Sequence, residues 1–341
     1  MKLPDLDFSY LTKLLRETRQ NILILTHRNP DGDAIGASLG LSNLLVRLGH
    51  TVNVIVPNAI PKFLKWMKGA GGICIYNFDR KRGDELLKNA TLVFALDFND
   101  LSRVREFDEK LKGRDYFKVL IDHHPDPTDF ADLTISLTEA SSTAELVYDF
   151  IHEVGLQEFI DVDSASCLYA GIMTDTGCFS FNSSRPGTYL TVAKLLEFGI
   201  DKDKIFDFVY NNFSADRMRL MGYCLDKKMV CLEEYRTAYI SLSQEELRQY
   251  NFRIGDSEGF VNLPLSIESI RFSALIMENK DCIKLSFRSK GSFPANRVAS
   301  EHFAGGGHLN AAGGECYDSL DNTIQKFVNL LPNYRDALLS E

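Results

Sequence analysis

Nowhere in this chain are two cysteines spaced Cys-x-x-Cys, although it holds seven: Cys74, Cys167, Cys178, Cys224, Cys231, Cys282 and Cys316. An odd count without framework spacing argues against a disulfide scaffold and a cysteine-built zinc cluster, and points to reduced, mostly buried thiols. No run approaches the ~18 apolar residues of a membrane span. Residues Met1 to Tyr10 are acidic and mixed, without the basic start and apolar stretch of a secretory signal, so the cytoplasm is the expected compartment. Basic charge is short as well: 38 Lys and Arg face 47 Asp and Glu, for a net charge of -9. Wrapping long duplex DNA needs an extended basic surface, which this balance does not supply. A short anionic ligand, held by metal ions and a few arginines, remains compatible. There is no internal repeat and no low-complexity tract.

What is present describes an ordinary globular protein, with 45% hydrophobic and 25% charged residues over 341 positions. That length favours two domains. In the first half, Ile22 to Leu25, Thr51 to Val56, Leu92 to Leu96 and Phe117 to Ile121 read as strands buried on both faces. Helical patterns cover Ala34 to Leu48, Leu101 to Leu111, Ala144 to Val154 and Asp163 to Met173. Such alternation predicts an α/β fold with a mostly parallel N-terminal sheet flanked by helices. Pro186 to Phe198, Asp201 to Tyr210 and Ala215 to Leu225 continue in helical pattern. Val230 to Glu233, Thr237 to Ser241, Ile270 to Met277 and Cys282 to Phe287 then read as strands, the last two joined by a turn at Glu278 to Asp281. The expected division is a catalytic domain over 1–185, a helical connection over 186–220 and a smaller C-terminal α/β domain with a mixed sheet over 221–341.

Chemistry-bearing residues collect where the predicted strands end. His27, Asp31 and Asp33 follow the first strand, with Gly32 allowing a tight turn between the two acids. Asp97 follows Leu92 to Leu96, and Asp122, His123 and His124 follow the strand at Phe117. Asp175 lies in Thr174-Asp175-Thr176-Gly177. Open α/β sheets place ligand sites at the carboxyl ends of their strands. Any one of these residues has an ordinary reading, as an N-cap for Asp33 or a turn-former for Asp97 and Asp175. Together, His27, Asp31, Asp33, Asp97, His123 and Asp175 form a nitrogen and oxygen donor set that suits manganese, or magnesium, in six-coordinate geometry. Four acids and two histidines suffice for two cations, which at about 3.5–4 Å can share a hydroxide and clamp a phosphoryl group. Three successive glycines, Gly305, Gly306 and Gly307, followed by His308, would let backbone amides approach an anion. His50, His152 and His302 carry no pattern.

The run His27-Arg28-Asn29-Pro30-Asp31-Gly32-Asp33-Ala34, the isolated Asp97, the Asp122-His123-His124 triplet and Asp175 resemble the four motifs of the DHH phosphoesterase family. Gly305 to Gly313 resembles the signature of its associated C-terminal substrate domain. The resemblance covers about residues 22–315 and implies two divalent cations. One would be held by His27, Asp31 and Asp97, the other by Asp33, Asp97, His123 and Asp175. His124 is then expected beside the substrate phosphate, with Asp122 orienting a histidine. Arg288 resembles the family's substrate-gripping arginine, with Gly305 to Gly307 and His308 completing the grip. The implied activity is that of the oligoribonuclease and 3′-phosphoadenosine-5′-phosphate phosphatase type, acting on very short RNA and a nucleoside bisphosphate. Other family activities stay open, namely polyphosphate hydrolysis and hydrolysis of linear dinucleotides, as does a non-catalytic nucleotide-binding module. Pyrophosphate hydrolysis is disfavoured by the glycine-rich C-terminal signature. Monomer and homodimer are equally compatible with the sequence.

Overall fold

The computed structural model describes Leu3, residues 6–111 and residues 116–340. The chain forms two units, Met1–Asn212 and Phe213–Glu341. In the first, six strands form one sheet: β1 (Asn21–Leu25), β2 (Thr51–Val56), β3 (Cys74–Ile75), β4 (Leu92–Leu96), β5 (Phe117–Asp122) and β6 (Leu133–Ser136). Their order is β3-β2-β1-β4-β5-β6 and every pairing is parallel. Among the described residues, eight α-helices accompany them: α1 (Ser9–Glu17), α2 (Gly32–Arg47), α3 (Arg80–Asn89), α4 (Asp108–Leu111), α5 (Thr143–Glu153), α6 (Val162–Asp175), α7 (Pro186–Glu197) and α8 (Lys202–Tyr210).

Strand β4 is apolar and buried along its whole length, and β1, β2 and β5 are buried toward their carboxyl ends, because both sheet faces are covered there. Alternate residues serve different cores. Ile22 and Ile24 of β1 join one core with Phe94, Ile121 and the helices α2, α5 and α6. Leu23 and Leu25 join the other with Val93, Ala95, Leu87 and Phe107. Strand order reverses between β1 and β4, which opens a crevice beyond their carboxyl ends.

A row of glycines sets how closely α2 and α6 approach. Gly32, Gly36 and Gly40 are four residues apart and share one helix face. A Cβ on Gly36 would stand 2.6 Å from the Cys167 carbonyl oxygen and 2.8 Å from Gly171 Cα. One on Gly40 would meet the Leu168 side chain, and one on Gly32 would collide with the Thr174 side chain. The two helices therefore touch backbone to backbone. This contact brings the first turn of α2, with Asp33, to the last turn of α6, with Asp175.

The second unit holds a six-stranded sheet in the order β11-β12-β10-β9-β8-β7. Its elements in chain order are α9 (Ala215–Tyr223), β7 (Met229–Leu232), β8 (Thr237–Leu242), α10 (Gln244–Gln249), β9 (Phe272–Glu278), β10 (Ile283–Ser289), α11 (Ala295–His302), β11 (Gly306–His308), β12 (Ala311–Cys316), α12 (Leu320–Leu330) and α13 (Arg335–Leu339). The β8–β9 pairing is parallel and the others antiparallel, so the sheet is mixed, as expected. Phe272, Phe287, Phe303 and Phe327 fill the core beneath it.

Several local expectations change. The Leu101 to Leu111 pattern is a 3₁₀ turn at Leu101–Val104 followed by the one-turn α4. Helix α3 has no counterpart among the expected elements, because its ten residues bury only Gly83 and Leu87, too few to create a periodicity. Residues 186–212, expected as part of an inter-domain connection, lie in the first unit, where Leu195, Ile205 and Val209 enter its core. Within the glycine triplet, Gly306 and Gly307 open β11 in a short hairpin with β12. Among the described residues no helix is long and apolar enough to cross a membrane.

The glycine seam yields a stability test. Gly36→Ala is expected to cost about 1–3 kcal/mol, because the neighbours of the new methyl are backbone that cannot give way. Gly72 serves as the control, since a Cβ added there would have nothing within 4 Å. Gly72→Ala should stay within about 0.5 kcal/mol of wild type. Urea unfolding of the three proteins measures the difference; equal midpoints would show that the helices do not touch through Gly36.

Candidate metal centre

Each ligand-bearing segment is fixed by its own local chemistry. Beyond β1 the chain turns at Asn29, whose φ of 56° lies in the left-handed region that asparagine tolerates. The Asn29 amide donates to Asn58 Oδ1 (2.6 Å), and Asn58 Nδ2 donates back to Asn29 Oδ1 (2.9 Å). Asp31 then caps α2, its Oδ1 accepting from the amides of Asp33 (3.1 Å) and Ala34 (3.0 Å). His27 and Asp33 are buried by this turn while Asp31 stays exposed. Asp97, the first residue past β4, has a φ of 66° and donates its amide to the Ile121 carbonyl (3.1 Å). Asp122 is the last residue of β5, wholly buried, and His123 and His124 follow it. Asp175 ends α6.

These segments meet around Asp97. Its Oδ2 lies 3.3 Å from His27 Nε2, and its Oδ1 lies 3.6 Å from His123 Nε2 and 3.7 Å from His124 Nδ1. His123 Nε2 also lies 3.5 Å from Asp175 Oδ2 and 3.9 Å from Asp33 Oδ2. Ligand atoms of His27, Asp31 and Asp97 fall within 4.8 Å of one another, as do those of Asp33, His123 and Asp175. His124 Nδ1 is hydrogen-bonded to Asp122 Oδ1 at 2.7 Å. An ionised carboxylate can only accept, so Nδ1 is the ring nitrogen that carries the proton in this bond.

The electrostatics are those of a cage built for cations. Burial, then the neighbouring carboxylates of Asp97 and Asp175, push the Asp33 carboxyl well above its ordinary range. Burial, then Asp31, does the same to Asp97. Burial draws the His27 imidazole below its usual value and outweighs the attraction of Asp31. For His123, burial acts downward too, but Asp175, Asp97 and Asp33 together hold it above. Among the described residues no lysine or arginine lies within ion-pair distance of Asp33, Asp97 or Asp122. Asp122 Oδ2 is buried without a hydrogen-bond partner. An oxygen-rich, thiol-free set with uncompensated negative charge fits hard divalent ions.

One group of residues is visible in the sequence only as a helix start. Both oxygens of Asp33 accept amides from the first turn of α5: Thr143 N to Oδ2 at 2.6 Å and Ala144 N to Oδ1 at 2.9 Å. The Thr143 hydroxyl donates to Asp97 Oδ1 at 2.9 Å. The available signal is Ser141-Ser142-Thr143 with Glu145, a cluster richer in hydroxyls than a helix cap requires.

In the second unit, β-pairing aligns the residues expected to bind substrate. His308 pairs with Ala311, Ala311 with Arg288 and Arg288 with Ser273, so these four form one cross-strand row. Gly306, Gly313 and Ser286 form the next row along the same face. Arg288 and His308 thus flank a floor of glycine and alanine. Two of the glycines have packing reasons: a Cβ on Gly305 would strike the Gly313 carbonyl, and one on Gly307 would sit 2.5 Å from the Ala311 oxygen. Gly306 has open space at that position.

A doubly wound parallel sheet carries a candidate cation cage of carboxylates and imidazoles at its switch point, and comparison with known proteins supplies its family. Residues 21–172 match the DHH family, N-terminal domain, and residues 237–334 match the DHHA1 domain. A probable bifunctional oligoribonuclease and PAP phosphatase NrnA from Streptococcus mutans is 28% identical, over 91% of this chain and 94% of that protein. Bifunctional oligoribonuclease and PAP phosphatase NrnA from Thermus thermophilus is 30% identical, over 89% and 86%. The crystal structure of an exopolyphosphatase-related protein from Bacteroides fragilis superposes with a TM-score of 0.93 at 44% identity, covering 98% of this chain and 97% of that one. The chain belongs to the DHH family of phosphoesterases, whose members use divalent metals.

The charge balance makes the metal-free fold sensitive to pH. Carboxyls whose folded pKa values are raised favour that fold below the unfolded value, taken as 3.8, and the contribution is lost as pH rises through the raised folded values. A divalent ion offsets the loss, so the rise in Tm produced by Mn²⁺ is expected to grow with pH from about 4.5 to about 8 in thermal melts. A flat increment would show that the two acids are not neutralised in the metal-free protein. Asp97→Asn, which keeps a side chain that tolerates the left-handed backbone, should remove the Mn²⁺-induced rise and turnover together, while leaving the metal-free melting temperature equal to or above that of wild type. A fall in that temperature would mean that Asp97 stabilises the fold in its own right.

Proposed function

We propose that this chain is a phosphohydrolase that degrades di- to pentanucleotides of RNA to mononucleotides and converts 3′-phosphoadenosine-5′-phosphate to AMP and phosphate. The observation that carries the reading is the meeting of two ligand groups, His27, Asp31 and Asp97 with Asp33, His123 and Asp175, on the single carboxylate of Asp97. It is supported by the names of two relatives aligned over about nine-tenths of this chain. These residues would hold two divalent ions, Mn²⁺ being the best fit to the mixed imidazole and carboxylate set and Mg²⁺ the alternative. When bound, such ions supply Lewis-acid stabilisation of a phosphoryl group and an activated water.

The chain's own side chains account for the rest. The buried carboxylates of Asp33 and Asp97 are fixed in place by the first turn of α5. His124, oriented by Asp122, would present Nε2 to a phosphoryl oxygen and stabilise charge developing there. In the second unit, Arg288 offers a planar fork suited to a phosphate, and His308 a second donor. Ala311 between them and Gly313 and Gly306 in the next row carry no side chain larger than a methyl, a surface that would suit a base or ribose. The net charge of -9 fits a short substrate gripped at few points rather than a long polymer. The cytoplasm is the compartment that goes with this role.

A second reading rests on the Bacteroides fragilis protein, described as exopolyphosphatase-related. Inorganic polyphosphate would use the same cage without a base. A product profile separates the two. Purified chain with Mn²⁺ is expected to release mononucleotides from a labelled trinucleotide RNA and phosphate from the adenosine bisphosphate, with polyphosphate and pyrophosphate cleaved far more slowly. Dominant phosphate release from polyphosphate would install the second reading, and loss of activity on all four substrates in metal-loaded protein would leave a binding module.

A further inference from the structure

We infer that Thr143 is a positioning residue that makes Asp97 a bridge between two cation sites, and that Glu145 holds Thr143 in place to do so. The inference rests on the two-cation reading of the cage.

Asp97 can serve both ligand groups only if its carboxylate is turned with one oxygen toward each. The structure shows that arrangement: Oδ2 faces His27 at 3.3 Å, and Oδ1 faces His123 at 3.6 Å. A carboxylate rotates about its terminal torsion with little resistance, since that well is broad. The Asp97 amide is fixed on the Ile121 carbonyl, which sets its backbone and leaves the side-chain torsion to what the carboxylate meets. The fixed donor on Oδ1 is the Thr143 hydroxyl, at 2.9 Å. It marks Oδ1 as the oxygen of the His123 side and leaves Oδ2 to the His27 side. The Thr143 amide meanwhile holds Asp33 Oδ2, on the same side as His123. One residue therefore sets two carboxylates, one through its main chain and one through its side chain.

Thr143 is fully buried and its own position is over-determined. Ser142 caps α5, its hydroxyl accepting the Glu145 amide at 3.1 Å. Glu145, a wholly buried acid, gathers three donors on Oε2: the Ser141 amide (2.9 Å), the Ser141 hydroxyl (2.6 Å) and the Thr188 hydroxyl of α7 (3.0 Å). A buried carboxylate is costly to desolvate and is held here only by these bonds. Its effect is to tie the turn before α5 to α7 and to fix the start of the helix against the cage. Partners that orient metal ligands in this way typically contribute about 10–100-fold to metal affinity.

The test is Mn²⁺ titration of the full chain by calorimetry, with Thr143→Val, Thr143→Ser and Ser141→Ala alongside wild type. Val matches Thr in shape and keeps both amides on Asp33, so it removes the hydroxyl alone. Wild type should bind two ions. Thr143→Val should keep one and bind the other about 10–100-fold more weakly, Thr143→Ser should restore the wild-type isotherm, and Ser141→Ala, which removes one donor to Glu145, should fall between them. Thr143→Ala replaces Thr143→Val if the valine variant does not fold. Two ions bound by the valine or alanine variant as in wild type would overturn the inference while leaving the metal centre intact. A wild type that takes up no Mn²⁺ would overturn the metal centre itself, and failure of serine to rescue would reduce Thr143 to a packing residue.

Discussion

The first unit is organised around negative charge that has nowhere to go. Asp33, Asp97 and Asp122 are buried within a few ångströms of one another, and only histidines, amides and a hydroxyl meet them. Taking one carboxylate out of water costs several kcal/mol even after relaxation. Gathering three magnifies the cost, because each disfavours the ionisation of the next. Such a cluster persists only if the scaffold around it is stiff. The parallel sheet supplies the stiffness, since β1, β4 and β5 lie side by side and each ends in a ligand or leads directly to one. Burial and mutual repulsion raise the Asp33 and Asp97 pKa values in the metal-free fold, and a divalent ion held by the proposed ligands would relieve the same cost with the carboxylates ionised.

Precision comes from contacts that cannot slide. Backbone touches backbone where α2 crosses α6, and the start of α5 is tied down by a buried acid and three hydrogen bonds. Cages of this kind act mainly by holding charge in place before the reaction begins, which leaves little reorganisation to be done during it. The chemistry of the two-unit chain divides accordingly. Rigid strand ends carry the groups that would act on phosphorus, while a mixed sheet carries a half-buried arginine and histidine beside a side-chain-poor floor.

Much of this is legible in the sequence because buried parallel strands are unambiguous: Thr51–Val56 and Leu92–Leu96 stand where their apolar runs put them. The candidate ligands stand out for the same reason, as acids and histidines immediately after such runs. What cannot be read is anything set by contacts distant in sequence. Helix α3 hides because it buries little, and β6 because four residues of alternating burial look like any loop. The glycine triplet reads as an anion cradle, yet two of its members are glycine because carbonyls of the neighbouring strand occupy the space. Thr143 looks like part of a helix cap, and its hydroxyl bond to Asp97 spans 46 positions.

The left-handed backbone at Asp97 restricts what can replace it. Glutamate would keep the charge but resist that conformation, glycine would accept the conformation without the charge, and asparagine alone would keep the shape while losing the formal charge. Asp97→Asn is therefore the change that leaves the turn and its packing intact while removing one formal charge from the buried cluster.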